Sequence, residues 1–347
     1  MVYLTRTGTS KCNSNKNQSP PKQVWGLGAV VLLVSLLLSG CSKGPDEKQN
    51  QRQFLSIGTA PPGGAFFVVG SAIADVVGIH TKDQNWHISA EATKGTQENL
   101  HRLDKGELDF ALANAAITFF AVRGQGKWEE AHPTGAIMTL APNIALFITP
   151  SSSGIKSIFD LRGRRVVVGP AGAGFEHFIE PILAAHGLGY DDIRPLHDTQ
   201  AGAVTLLADG SADAAFLGGA VPTASITQAC AAQDIHFIPF DEQAMTQLVT
   251  DYAFYDRKTI PAHTYKGQDQ PYHGLNVGNM ILVTSTQQDD DTVYRFTKTL
   301  YENAVQVVEK HPAGKAINAK NVIRDTGTPF HPGAIRYYQE IGLWPSK

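Results

Sequence analysis

The sequence predicts an α/β fold of two similar lobes, each a mixed, mostly parallel sheet flanked by helices, with a cleft between them. Three observations carry this expectation. Short apolar runs alternate with helical patterns along most of the chain, which argues for βαβ units. One stretch is echoed: Leu103-Asp104-Lys105-Gly106-Glu107-Leu108-Asp109-Phe110-Ala111-Leu112 returns 104 residues later as Leu207-Ala208-Asp209-Gly210-Ser211-Ala212-Asp213-Ala214-Ala215-Phe216. Two Gly-rich loops, residues 59–65 and 170–174, each follow a short strand and precede a helix.

The chain has 347 residues, 42% hydrophobic and 18% charged. That length accommodates two domains with cores of their own, and the composition is that of a globular α/β protein. No basic stripe occurs, so nothing points to nucleic acid.

The N-terminus differs from the rest. Arg6, Lys11, Lys16 and Lys22 precede an apolar run of 13 residues, 26–38, and no acidic residue occurs before Asp46. A basic start, a short apolar run and a small-residue exit form the pattern of a secretory signal, and 13 residues are short for a membrane span. Leu38-Ser39-Gly40-Cys41 resembles the bacterial lipobox, which implies cleavage before Cys41 and lipidation of its sulfur. The alternative is a plain transmembrane anchor over residues 24–41. Either places the chain from residue 42 onward outside the membrane. Loss of residues 1–41 removes four basic and no acidic residues, taking the formal charge from −3 to −7. Cys230 is then left without a disulfide partner and reads as a small buried residue.

Residues 42–53 are polar and Pro/Gly-punctuated, a flexible tether. The folded part opens with a strand at 54–59. A helix at 65–77, a strand at 87–93, a helix at 96–103 and a strand at 109–113 follow. Further on come a strand at 165–169, a helix at 175–186, a helical stretch at 203–207 and a strand at 214–217. An amphipathic helix over 291–310 and a short one at 331–341 close the chain. Crossings between lobes are expected at Ala141-Pro142-Asn143 and at 280–284. Lobe 1 is then 54–142 with 284–347, and lobe 2 is 143–283.

Ligands on open α/β sheets bind outside the carboxyl ends of the strands, so two facing lobes form a cleft lined by both Gly-rich loops. In the first loop Thr59, Gly63, Gly64, Phe66 and Phe67 stand at a helix start. There glycine lets backbone approach a ligand, and free N–H groups with the helix dipole favour an anion such as a carboxylate. Ala171, Gly172, Ala173, Gly174 and Phe175 offer the same in the second. Either loop taken alone is equally a tight strand-to-helix turn; the pair, one per lobe, points to a site. Neither loop has the Lys-Ser/Thr of a phosphate-binding P-loop or the spacing of a dinucleotide fingerprint. Thr93, near a strand end, is a candidate cleft hydroxyl. Glu98 and Asn99 read as parts of helix structure.

Several segments taken together resemble the TAXI-type extracytoplasmic solute receptors of tripartite ATP-independent periplasmic (TRAP) transporters. They are Ile57-Gly58-Thr59 with Gly63-Gly64-Ala65-Phe66-Phe67, the run Glu91-Ala92-Thr93-Lys94-Gly95-Thr96-Gln97-Glu98-Asn99-Leu100, and the Gly106-x-x-Asp109-Phe110-Ala111 turn. Asp213-Ala214-Ala215-Phe216 and Gly219-Ala220-Val221-Pro222 complete the set. The resemblance spans about residues 54–345. It implies a two-lobed periplasmic binding protein of type II-like fold and a carboxylate-bearing ligand. It also implies a TRAP permease as partner, a periplasmic location with a lipid anchor at Cys41, and Asn114 as a polar ligand contact. The chain departs from the family where hydroxyls are usual: the second loop is Gly172-Ala173-Gly174-Phe175 instead of Gly-Ser-Gly-Thr, and Phe66 and Phe67 replace tyrosines. Donors are exchanged for apolar surface, so a less polar ligand is expected.

Twelve histidines invite a metal search, but no HExxH, CxxC or His-x-His occurs. No nucleophile, base and oxyanion set converges in the sequence. No cofactor, metal or catalytic residue is therefore expected. The alternative to a TRAP receptor is a receptor of the same shape serving an ABC importer or a sensor kinase.

Overall fold

The computed structural model describes residues 53–252 and 254–345. The leader, Cys41 and nearly all of the tether lie outside the described residues. Each half of the chain begins with a βαβ path. In the first lobe this runs through β1 (Gln53–Gly58), α1 (Ala65–His80), β2 (Trp86–Glu91), α2 (Thr96–Asp104), β3 (Phe110–Asn114), α3 (Ala115–Ala121) and β4 (Thr134–Thr139). The chain then enters the second lobe through β5 (Ile144–Pro150), β6 (Arg165–Val167), α4 (Glu176–Ala185), β7 (Arg194–Leu196), α5 (Gln200–Ala208) and β8 (Ala214–Gly219). It continues there with α6 (Ala224–Ala232), β9 (Ile235–Ile238), α7 (Glu242–Asp251), β10 (Tyr255–Ile260) and β11 (Tyr272–Val277). It returns through β12 (Met280–Ser285), α8 (Asp290–Glu302), α9 (Ala304–Lys310) and α10 (Pro332–Glu340).

The first sheet has the order β2-β1-β3-β12-β4 and the second β10-β11-β5-β8-β6-β7, with β9 also on β5. The sheets are mixed. β1 pairs parallel with β2 and β3, and β6 parallel with β7 and β8. Antiparallel pairing weighs more than the alternation of strands and helices indicates. The reason is that β5 and β12, the strands just after each crossing, enter the sheets head-to-tail against β8 and β3.

The repeated sequence occupies equivalent places. Gly106 and Gly210 turn the chain at φ 68° and 75°, with open space where a Cβ would stand, so backbone conformation alone calls for glycine there. Asp109 accepts hydrogen bonds from the backbone N (2.8 Å) and Oγ (3.1 Å) of Ser56 in β1. Asp213 likewise accepts from the backbone N of Arg165 in β6 (2.8 Å) and pairs with its guanidinium at 2.7 Å. The carbonyl of each aspartate accepts from a threonine on a crossing strand, Thr284 Oγ1 at 2.6 Å and Thr149 Oγ1 at 2.7 Å. The echo is therefore one device used twice, an aspartate tying three strands together.

Two corrections concern helices. The pattern over 291–310 folds as two helices that part at Asn303 (φ −111°, ψ 21°), whose Nδ2 donates to the Thr299 carbonyl at 2.9 Å. An asparagine amide that competes for a helix carbonyl is a local stop that apolar periodicity does not reveal. The short helix α3, directly after β3, went unpredicted; Asn114 caps it, with Oδ1 accepting from the backbone N of Ala116 and Ile117.

The chain crosses between sheets around residues 140–143 and returns at 278–279, since Met280 already pairs in the first sheet. Buried asparagines bind the two crossings together. Asn276 Oδ1 accepts from Asn143 N (2.9 Å), Asn276 Nδ2 donates to Asn279 Oδ1 (3.0 Å), and Asn279 Nδ2 donates to the Leu140 carbonyl (2.9 Å). One apolar cluster joins Leu146, Phe147, Phe178 and Phe216 of the second lobe to Leu100, Ala113 and Ile117 of the first. The other, with Ile57, Ile73, Phe296 and Tyr338, fills the far face of the first sheet. Because one core runs through both lobes, the described residues pack as one compact unit.

Candidate functional site

The Gly-rich loops sit at the carboxyl ends of β1 and β6, and each presses on the opposite lobe. Gly63 (φ 96°) accepts at its carbonyl from Ser225 N (3.3 Å), and a Cβ there would stand 3.1 Å from the Ala201 methyl of α5. In the other direction the Ala173 carbonyl accepts from Gln97 N at 3.4 Å, and a Cβ on Gly95 would stand 3.6 Å from the Ala173 methyl. The first loop thus meets the start of α5 and the second the start of α2, a pseudo-twofold match. The glycines serve close approach of lobe to lobe.

Between these contacts lies a cavity of about 40 Å³ lined on the first lobe by Pro61, Gly64, Phe66, Lys94, Thr96 and Asn114. Pro170, Phe175, Phe178, Gln200 and Phe216 line it from the second lobe, and Asn143 from the crossing. Such a volume admits only a few waters, and anything larger requires the lobes to part. The walls are largely apolar, with Phe66, Phe175, Phe178 and Phe216 among them. The starts of α1, α2, α4 and α5 border the cleft through Gly64, Thr96, Phe175 and Gln200. Their helix dipoles with the Lys94 side chain give it a positive bias, although Gln97 N and Gly202 N are already bonded to the Ala173 carbonyl and Thr199 Oγ1. Lys94 forms no ion pair with the described residues.

The structure brings Gly64, Phe66, Asn114 and Phe175 together on the cavity. The other residues singled out in the sequence do not line it. Thr59 is buried and donates from Oγ1 to the Glu91 carbonyl at 2.7 Å. Thr93 Oγ1 donates to the Thr59 carbonyl and accepts from Gly95 N, both at 3.1 Å, so it shapes the start of α2. Ala171 and Gly172 are exposed, Phe67 is half-buried, and Gly63, Ala173 and Gly174 form the lobe contacts. Asn114 spends its amide on α3 and on the carbonyls of Val277 and Gly278 (3.1 Å each). Glu98 Oε2 accepts from Lys94 N at 3.1 Å, and Asn99 Nδ2 holds the carbonyls of Thr59 and Leu112. Lys94, Asn143, Gln200, Phe178 and Phe216 were missed. Lys94 and Phe216 stood inside motifs already marked, and Asn143 inside the predicted crossing; Gln200 and Phe178 carry no local signal.

A strap over residues 122–133 packs against α4 of the second lobe. Lys127 Nζ bonds Glu180 Oε1 of α4 at 2.6 Å, and His177 of α4 stacks against Trp128 (6.0 Å, 11°) and Phe120 (5.9 Å, 18°). Burial first and Lys127 second hold the His177 pKa below its usual value. Burial pushes the Cys230 thiol up to about 11, leaving it an inert core group. Among the described residues no three His, Cys, Asp or Glu side chains are placed to hold a metal ion.

Solved structures of like fold include a protein of Bordetella bronchiseptica RB50 (16% identity, TM-score 0.52, covering 85% of this chain and 90% of that one). The periplasmic aliphatic sulphonate binding protein SsuA from Escherichia coli matches at 15% identity and TM-score 0.43, over 85% and 84% of the two chains. The substrate binding protein of an amino acid ABC transporter matches at 11% identity and TM-score 0.45, over 77% and 98%. Two mixed sheets flanked by helices are the architecture this chain shares with the Bordetella bronchiseptica structure. The model described as the NMT1-like family matches residues 57–342, and the chain belongs to the NMT1-like family.

Proposed function

We propose that this protein is an extracytoplasmic solute-binding protein, a binder rather than an enzyme, that closes its lobes over a small organic monoanion. The observation that carries the reading is the cleft itself. Four helix starts and Lys94 favour one negative group, while Phe66, Phe175, Phe178 and Phe216 favour an apolar or aromatic remainder. A second carboxylate would be buried without charge-assisted donors, at a cost of several kcal/mol. The ligand is then handed to a membrane importer. An ABC importer, the transporter class of the amino acid binding protein of like fold, stands first. A TRAP permease, implied by the sequence motifs, stands second. Lipidation at Cys41 belongs to the same proposal and holds the protein at the membrane surface.

Native mass spectrometry of the protein crosslinked in and released from its own membranes tests the three parts together. The expected result is a co-purified organic monoanion, an acyl mass on a chain beginning at Cys41, and a crosslinked ABC permease. Glutamate or 2-oxoglutarate as the co-purified solute would overturn the monoanion. An N-terminus ahead of Cys41 would overturn the anchor, and a crosslinked TRAP permease would reverse the order of partners.

A further inference from the structure

Asn143 differs from every other amide around the cleft. Its backbone is pinned at the crossing, N donating to Asn276 Oδ1 and the carbonyl accepting from Val277 N, both at 2.9 Å. The residue is only 8% exposed, yet its carboxamide forms no hydrogen bond with the described residues. Its neighbours are fully engaged. Asn114, Asn276 and Asn279 use both ends of their amides within the protein, and Gln200 bonds the Gly218 carbonyl (2.8 Å) and Ser225 Oγ (3.0 Å). The Asn143 amide lines the cavity beside Gly218, where a Cβ would stand 3.5 Å from its Oδ1. Neither of its amide atoms is among the fully buried polar atoms that lack a partner, so both stay reachable from the cavity, where a ligand group can replace water. The other amides on the wall, Asn114 and Gln200, are already bonded elsewhere.

We propose that the Asn143 carboxamide reads a second, uncharged polar group on the ligand, so that the ligand is an apolar organic acid carrying a hydroxyl, oxo or amide group. This rests on the organic-anion reading above. An amide both donates and accepts, and it can therefore take either a hydroxyl or a carbonyl. A site built to bond such a group discriminates strongly against the analogue that lacks it. Because the same residue is bonded to Asn276 through its backbone, ligand engagement bears directly on the lobe crossing.

Calorimetry with two matched series tests this: 4-methylpentanoate with its 2-hydroxy and 2-oxo forms, and 3-phenylpropionate with phenyllactate and phenylpyruvate. The wild-type protein is expected to prefer the substituted acids of one series by about tenfold or more. Asn143→Leu should bring all three within about threefold of one another. Asn143→Asp keeps the acceptor and loses the donor, so it should shift the balance from the oxo acid toward the hydroxy acid. This ratio would not move if the residue were only structural, and it remains readable if the leucine variant fails to fold. Equal wild-type binding of substituted and unsubstituted acids, or a preference that survives in Asn143→Leu, overturns the inference. Silence of the wild-type protein toward both series overturns the organic-anion reading beneath it.

Discussion

The repeated aspartate shows how one side chain organises a lobe. Asp109 and Asp213 hold equivalent strand junctions, but Asp109 does so with the neutral Ser56 and Asp213 with Arg165. Hydrogen bonding from the Arg165 side chain holds the Asp213 carboxyl below the usual range. A depressed carboxylate contributes stability above its unfolded pKa of about 4, and that contribution is lost as pH falls through the lower folded value. Asp213→Asn should therefore cost about 1 kcal/mol at neutral pH, the ion pair being partly exposed. In denaturant melts the difference from wild type should shrink as pH is lowered below about 4. A difference that persists unchanged in acid would show that backbone bonding alone makes the junction. The echo was legible in the sequence, but its partner was not: Ser56 and Arg165 share no chemistry beyond a backbone N–H.

Among the elements, the strap over 122–133 and helix α4 carry the contact beside the cleft. His177 faces Trp128, Phe120, Lys127, Glu176 and Glu180, and its lowered pKa arises mainly from burial. A depressed histidine binds fewer protons folded than unfolded, so stability falls as pH drops from about 6.5 toward the folded value. His101, held down by burial and by His132, acts in the same direction. His177→Gln removes one of these groups while keeping a planar polar side chain. Its melting temperature should fall less than that of wild type between pH 7.5 and 5.5. Equal falls would place the acid sensitivity in other lowered histidines, such as His186 and His331. None of this was readable from the sequence, because residues 122–133 have no periodicity and their ring partners sit on other elements.

For the whole molecule, the shared core and the paired asparagine crossings join the two lobes. Each Gly-rich loop touches the other lobe, so a solute that closes the cleft should protect both loops. Hydrogen exchange at saturation with the tightest-binding acid of the two calorimetry series should slow the amides of residues 63–67 and 172–175 together. Protection confined to one loop would mean that the solute binds a single lobe.

The sequence by itself determined the features with local physical causes. Positive-φ glycines and free helix starts marked both loops, the alternation of patterns marked the α/β class, and the echo marked the second lobe. Tertiary structure decided which side chains line the cleft. Phe178 and Phe216 look like ordinary core residues in their own segments, and Asn143 looks like a turn residue. Thr93 and Thr59, candidates for the cleft in the sequence, are spent on backbone groups of neighbouring elements. The physical reason is that glycine conformation and helix ends follow from short stretches of chain. Whether a buried amide lacks a partner depends on strands and crossings brought together from more than a hundred residues apart, as Asn143 and Asn276 are.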